Sequence, residues 1–223
     1  MDERQLVETI TQRVLSILQA NGKSSTPEED SIPVGVSVRH VHICQRDLEI
    51  LYGPGATLHK LRDLYQPGEF AAKETVALVG PRMRSIENVR ILGPMRDRTQ
   101  VEVSRTDAIF LGINPPVRPS GDLAGSAGIT LIGPAGALTL PEGCIVANRH
   151  VHMSTADAIR FGVKDNDLVE LEVTGEKSLV FRNVQVRVKD SFRLQVHLDT
   201  DDANAAGINC GAICRIVRPS SGR

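Results

Sequence analysis

Tryptophan is absent from this chain, and phenylalanine and tyrosine together bring the aromatic content to only 3%. Stacking platforms for bases or sugar rings are therefore poorly supplied. Neither sign of charge dominates. Lys and Arg number 26 against 27 Asp and Glu, a formal charge of −1, so the chain lacks the basic field that would draw a nucleic-acid backbone, although a local basic pocket is compatible with the balance. Cysteine is scarce: Cys44, Cys144, Cys210 and Cys214 form no C-x-x-C pair and no disulfide-scaffold spacing, and read as apolar fillers in a reducing compartment. No apolar run approaches the roughly 20 residues of a membrane span. The acidic start MDERQLVETITQRV has no continuous hydrophobic stretch of the secretory kind. No Walker-type loop, no G-x-G-x-x-G and no G-x-S-x-G occurs, which weighs against nucleotide hydrolysis, dinucleotide chemistry and serine-hydrolase chemistry.

What the chain does have begins with Leu6, Val7, Ile10, Val14, Ile17 and Leu18, apolar residues recurring at three- and four-residue steps. They predict an amphipathic helix over residues 1–21 that stops at Asn21-Gly22, followed by a polar linker over residues 22–31. Such a helix cannot bury its stripe alone. It docks either on its own domain or a sister subunit, or in the groove of another protein as a targeting segment.

Beyond the linker, short β-branched strands such as IPVGVSV, TVALVG, NVRILG, LVELEV and NVQVRV alternate with Gly, Pro and Asn. This is the pattern of small β-barrels or sandwiches, with two or three short helical patches, the clearest at Thr155–Phe161. The sequence also repeats itself. Arg39-His40-Val41-His42 recurs as Arg149-His150-Val151-His152, and Asp47 as Asp157, at an offset of 110. Asn88-Val89, Gln100-Val101-Glu102, Asp107-Ala108 and Gly112-Ile113 recur at an offset of 95, at Asn183-Val184, Gln195-Val196-His197, Asp202-Ala203 and Gly207-Ile208. The first half thus carries about 15 extra residues, placed within HKLRDLYQPGEFAAKETV, and the two halves read as copies of one fold.

The repeated residues suit metal binding. Strand residues two apart face one side, so His40 with His42, and His150 with His152, each form a pair able to chelate one cation. A zinc held in this way needs a third protein donor, and the second repeated block supplies Glu102 in one half and His197 in the other. A single H-x-H usually marks hydrogen-bonding core histidines; it is the duplication of the whole donor set that favours metal. Imidazole-rich sites suit zinc, while iron, nickel and copper accept the same ligands. Arg96 aligns with Ser191 and so occurs in one half only. A guanidinium beside a metal suits phosphate or carboxylate.

VSVRHVH, QPGEFAAKETV, NVRILGPMRDRTQVEVSRTDA, LGINPPVRPSGDLAGS, IVANRHVHMSTADA and QVHLDTDDANAA together resemble the phosphate propanoyltransferases of the PduL type, from about Ile32 to Val217. The resemblance implies two small β-barrels with a dinuclear zinc site, and reversible acyl transfer between coenzyme A and inorganic phosphate. Residue by residue it implies one zinc on His40, His42 and Glu102, the second on His150, His152 and His197, and phosphate on Arg96. It implies coenzyme A contacts at Val36, Ser37, Val38, Met83, Arg90 and Asn204. Here Arg82-Met83-Arg84 departs from the lysine loop usual in the family. It also implies that residues 32–38 with 148–217 form one barrel and residues 39–147 the other. The N-terminal helix resembles the encapsulation peptides of enzymes packed in bacterial microcompartments, which implies a microcompartment lumen and shell or core proteins as partners of residues 1–20, alongside a homo-oligomer and neither nucleic acid nor membrane. Two rival readings stand beside this one. One is a bicupin-like metal-dependent dioxygenase or isomerase, whose expected Glu after the H-x-H is missing here. The other is a non-catalytic microcompartment-docking protein with structural metals.

Overall fold

The computed structural model describes residues 30–217, so the N-terminal helix and most of the linker lie outside the described residues. The described chain is mainly β. Six strands close one barrel in the order β1 (Ile32–Ser37), β13 (Gln195–Asp199), β10 (His150–Met153), β12 (Leu179–Val188), β11 (Leu168–Val173) and β14 (Ile213–Val217), with β14 paired back onto β1. A second ring runs through β4 (Phe70–Val79), β5 (Ser85–Gly93), β2 (His40–His42), β6 (Gln100–Glu102) and β9 (Ala137–Ala147). There β8 (Ala127–Ile132), paired with both β9 and β4, closes the circle. The strands β3 (Lys60–Asp63) and β7 (Val117–Arg118) add to its edges.

The duplication is visible in the pairing. In one ring β2 lies parallel to β5 and antiparallel to β6; in the other β10 lies parallel to β12 and antiparallel to β13. The strand before each R-H-V-H crosses over: β1 leads into β2 but pairs with β13, while β9 leads into β10 but pairs with β6. The two barrels are therefore intertwined.

Each ring is filled by one face of its strands. Val41, Ile91 and Val101 belong to one apolar core, and Val151, Val186 and Val196 to the other, all fully or almost fully buried. A fully buried side chain of this kind contributes about 1.5–3 kcal/mol. Because side chains alternate along a strand, the histidines flanking Val41 and Val151 turn to the outside of their barrels. They are buried all the same.

Four short helices occur among the described residues, more than the two or three patches read from the sequence: α1 (Gln45–Tyr52), α2 (Arg105–Leu111), α3 (Thr155–Phe161) and α4 (Thr200–Ala206). Their apolar periodicity is weak because seven or eight residues give barely two turns; their ends define them instead. Ser104 with Asp107, and Ser154 with Asp157, form reciprocal capping boxes, and Asp199 caps α4. Gly112, Gly162 and Gly207 close the C-termini of α2, α3 and α4 in the left-handed conformation. Ser154→Ala is expected to cost about 1 kcal/mol and to lower the thermal unfolding midpoint by about 2–4 °C in a chain of this size.

Structure explains several repeated letters that carry no chemistry. Arg39 donates to Asp107 at 2.8 Å, and Arg149 holds Asp202 through two bonds of 2.8 Å, tying the loop before each histidine strand to the helix after each third donor. Asn88 and Asn183 both have φ of 56°, a left-handed backbone that asparagine tolerates, in the long strands β5 and β12.

Candidate metal centre

The two outward-facing donor sets line one cavity of about 520 Å³, to which both barrels contribute walls. In the first set, His40 Nε2 lies 3.2 Å from His42 Nε2 and 3.5 Å from Glu102 Oε2, and His42 Nε2 lies 3.7 Å from Glu102 Oε1. A tetrahedral ion with bonds near 2.0–2.1 Å spaces its donors about 3.3 Å apart; the two imidazole nitrogens match this, and each has a Glu102 oxygen slightly farther off. In the second set the donors of His150, His152 and His197 also fall within 4.8 Å of one another. The rungs explain this: His40 sits opposite Glu102 in β2 and β6, and His150 opposite His197 in β10 and β13.

Neighbouring groups set the ring orientations. His40 Nδ1 donates to the Val38 carbonyl at 2.8 Å, and His150 Nδ1 to the Asn148 carbonyl at 2.9 Å, so in both halves the Nε2 lone pair turns into the cavity. The third donors are held by a glutamine two residues earlier. Gln100 Nε2 donates to Glu102 Oε1 at 2.5 Å, and His197 Nε2 donates to Gln195 Oε1 at 2.8 Å, leaving Nδ1 with the lone pair. Gly35 is needed here, because a Cβ at that position would meet the Gln195 amide at 2.8 Å. His152 differs from the rest. Both its ring nitrogens are buried with no hydrogen-bond partner among the described residues, while its ring stacks on Phe192 at 4.3 Å. Leaving such atoms unpaired costs about 1–3 kcal/mol, a cost a bound cation would offset.

The electrostatics agree with metal ligation. Burial is the main cause that holds His42, His150, His152 and His197 below the usual imidazole range, His152 at about 2 and His197 at about 3, so their lone pairs stay free at neutral pH. Burial also opposes ionisation of Glu102, but His40, His42 and His150 outweigh it and keep the carboxyl ionised well below its ordinary range. Burial lowers His40 too, and the charge and hydrogen bond of Glu102 more than reverse it. These donors fit a cation in each half.

A stability prediction follows for protein stripped by a chelator. The four depressed rings refuse protons that the unfolded chain accepts, so stability should fall as pH drops below about 6.5, by up to about 1.4 kcal/mol per pH unit for each ring that stays neutral. His40, shifted upward, works in the opposite sense and gives up its contribution as pH rises. Melting curves of the chelated protein between pH 7.5 and 4.5 test this; a flat profile would contradict it.

Arg96 enters the same cavity. Its backbone N–H donates to the Ile43 carbonyl at 2.9 Å, just after the first histidine pair. Its guanidinium donates to Ser120 Oγ at 3.0 Å; that hydroxyl also accepts from Gln100 Nε2 at 2.8 Å and donates to Glu102 Oε1 at 3.1 Å. Sequence reasoning assigned no role to Ser120, Gln100 or Gln195, although the glutamines were visible in the repeat. Val36, Ser37, Val38 and Arg90 line the cavity, whereas Met83 and Asn204 are not among its lining residues. Met83 sits 84% exposed in a turn, and the Asn204 carbonyl accepts from Lys177. Cys44 precedes α1 and receives a bond from Thr99, outside the lining. The extra segment of the first half supplies β3 and a loop whose buried Gln66 exchanges two hydrogen bonds with the Arg193 backbone, at 2.9 and 3.0 Å. No described helix is long and apolar enough to cross a membrane.

Comparison with known proteins adds the family. A family model described as phosphate propanoyltransferase matches residues 33–209. A phosphate propanoyltransferase of Lachnoclostridium phytofermentans is 52% identical over 217 residues, covering 97% of this chain and 100% of the relative. One from Thermotoga maritima is 53% identical over 191 residues, 85% of this chain and 90% of its own. One from Salmonella typhimurium is 49% identical over 190 residues, 84% and 90% of the two chains. With a family model spanning both barrels and near-half identity along almost the full length of each relative, the chain belongs to the phosphate propanoyltransferase family and is an acyltransferase.

Proposed function

We propose that the protein transfers an acyl group reversibly between coenzyme A and inorganic phosphate, with propanoyl-CoA as substrate and acetyl-CoA as a shorter alternative, at a site that carries two zinc ions. The observation that supports this reading best is the sharing of one cavity by Arg96 and both donor sets. His40, His42 and Glu102 would hold one zinc and His150, His152 and His197 the other. Bound there, zinc supplies Lewis acidity toward a thioester's sulfur or carbonyl oxygen.

The chain's own groups do the rest. The Arg96 guanidinium, steadied by Ser120, binds phosphate and presents one of its oxygens to the thioester carbonyl, so that little orientation remains to be lost during reaction. The phosphate O–C bond forms as the C–S bond breaks, and the proton carried by monohydrogen phosphate ends on the thiol. No enzyme nucleophile is needed. The end of β1, with Val36, Ser37 and Val38, and Arg90 on β5 form the wall along which coenzyme A would lie. A propanoyl group differs from acetyl by one methylene, worth only about 1–3 kcal/mol of discrimination, so both are expected to react. Residues 1–20 would dock the enzyme on shell or core proteins of a microcompartment, and sister copies would associate.

Incubation with propanoyl-CoA and phosphate tests the activity. Free thiol should appear only when phosphate is present, and acyl phosphate should be trapped by hydroxylamine in equal amount. Thiol release without phosphate, or none at all, would refute the proposal.

A further inference from the structure

Arg187 lines this cavity without an assigned task, and its surroundings are unusual. It lies on β12 directly across the parallel ladder from His152, so both side chains share the outward face of their barrel and both line the cavity. The equivalent residue of the first half, at the offset of 95, is Leu92. Arginine here is thus not required by the duplicated fold. The side chain is half-buried, yet among the described residues it makes no hydrogen bond and no ion pair. By contrast Arg39 and Arg149, at the equivalent loops of the two halves, each hold an aspartate. A half-buried guanidinium with nothing to receive its donors is unfavourable unless a ligand completes it.

The charges around it identify the ligand. Arg187 acts electrostatically on Arg96, on Glu69 and on the three histidines of its own half. Arg96 comes from one barrel and Arg187 from the other. Two guanidiniums sharing a cavity repel unless an anion lies within reach of both. Glu69, which is not a metal donor, is coupled to both, and its single negative charge does not balance the pair. The nucleotide phosphates of coenzyme A are held away from the thioester by the long pantetheine arm. A group beside the metal donors therefore meets the small anion instead.

We propose that Arg187 is a second phosphate-binding residue, so that inorganic phosphate is gripped between one arginine from each barrel; this rests on the acyl-transfer reading above. The two-barrel clamp gives the intertwined fold a chemical purpose: phosphate is bound fully only where both halves meet.

The test compares wild type with Arg187→Leu, which installs the first half's own residue, and Arg187→Lys. In steady-state assays Arg187→Leu should raise the phosphate KM roughly tenfold and leave the acyl-CoA KM within about twofold, with Arg187→Lys between the two. Titration calorimetry of the metal-loaded proteins with inorganic phosphate alone should show the same roughly tenfold weakening, with equal metal content and similar melting temperatures. An unchanged phosphate affinity, a rise confined to acyl-CoA, or a loss of bound metal in Arg187→Leu would overturn the assignment. If wild type shows no phosphate-dependent thiol release, the acyl-transfer reading itself fails, and the calorimetry then decides separately whether Arg187 grips phosphate.

Discussion

His152→Ala is expected to cut turnover by about 10³-fold and to lower bound metal by one ion per chain. The ring stacks on Phe192, and neither of its nitrogens has a hydrogen-bond partner among the described residues. Its loss thus removes a donor from the His150, His152 and His197 set while breaking no hydrogen bond. A bound metal is worth several kcal/mol of charge stabilisation in a reaction of this class, and each 1.36 kcal/mol is a factor of ten in rate. The metal-free variant should melt no lower than metal-free wild type, because a buried unsatisfied ring has been deleted. Elemental analysis, rate assays and melting of the chelated proteins together make the test. A variant that keeps its full metal content, or that loses metal and keeps its rate, would sink the idea that this set serves the chemistry.

Arg96→Ala should raise the phosphate KM by about 10- to 100-fold, as expected for losing charge-assisted hydrogen bonds worth about 1.5–3 kcal/mol, and leave the acyl-CoA KM within about threefold. The guanidinium reaches the cavity from a loop anchored to the Ile43 carbonyl, and its contact with the Ser120 hydroxyl fixes its direction. Arg96→Lys keeps the charge but not the planar fork, and is expected to recover only part of the phosphate affinity. Steady-state kinetics with each substrate varied at saturation of the other separates the effects. An equal rise in both constants would mean that Arg96 shapes the cavity as a whole rather than receiving phosphate.

Much of this architecture was legible because it is written twice. One R-H-V-H would be weak, since a histidine pair on a strand is commonly structural; two copies, each followed by a third donor, single out six residues that folding brings into two triads. The mainly β fold could be read from short strands punctuated by Gly, Pro and Asn. Other repeated letters were visible without their meaning. Arg39 and Asp107 are 68 positions apart, and nothing local shows that they bond. The four helices were under-read because capping, rather than apolar periodicity, defines elements of seven or eight residues.

Ser120, Phe192 and Gln66 were not legible at all. Ser120 lies in a proline-rich loop, and its importance depends on meeting Arg96, Gln100 and Glu102 at once. Gln66 looks like an ordinary polar loop residue until its amide is found against the backbone at Arg193, 127 positions away. Such roles arise from proximity between distant segments, and residue type alone carries no record of it.

By itself, the order of amino acids determined the duplication, the β character, the donor set and the asymmetry of Arg96, because each depends on local spacing or on comparing one half with the other. Only the tertiary structure decided that the donor sets turn outward from two filled barrels into a shared cavity, and which side chains hold them there. The reason is physical: alternation along a strand fixes that His40 and Val41 face opposite ways, but which of those directions is core and which is cavity depends on the packing of every other strand in the ring.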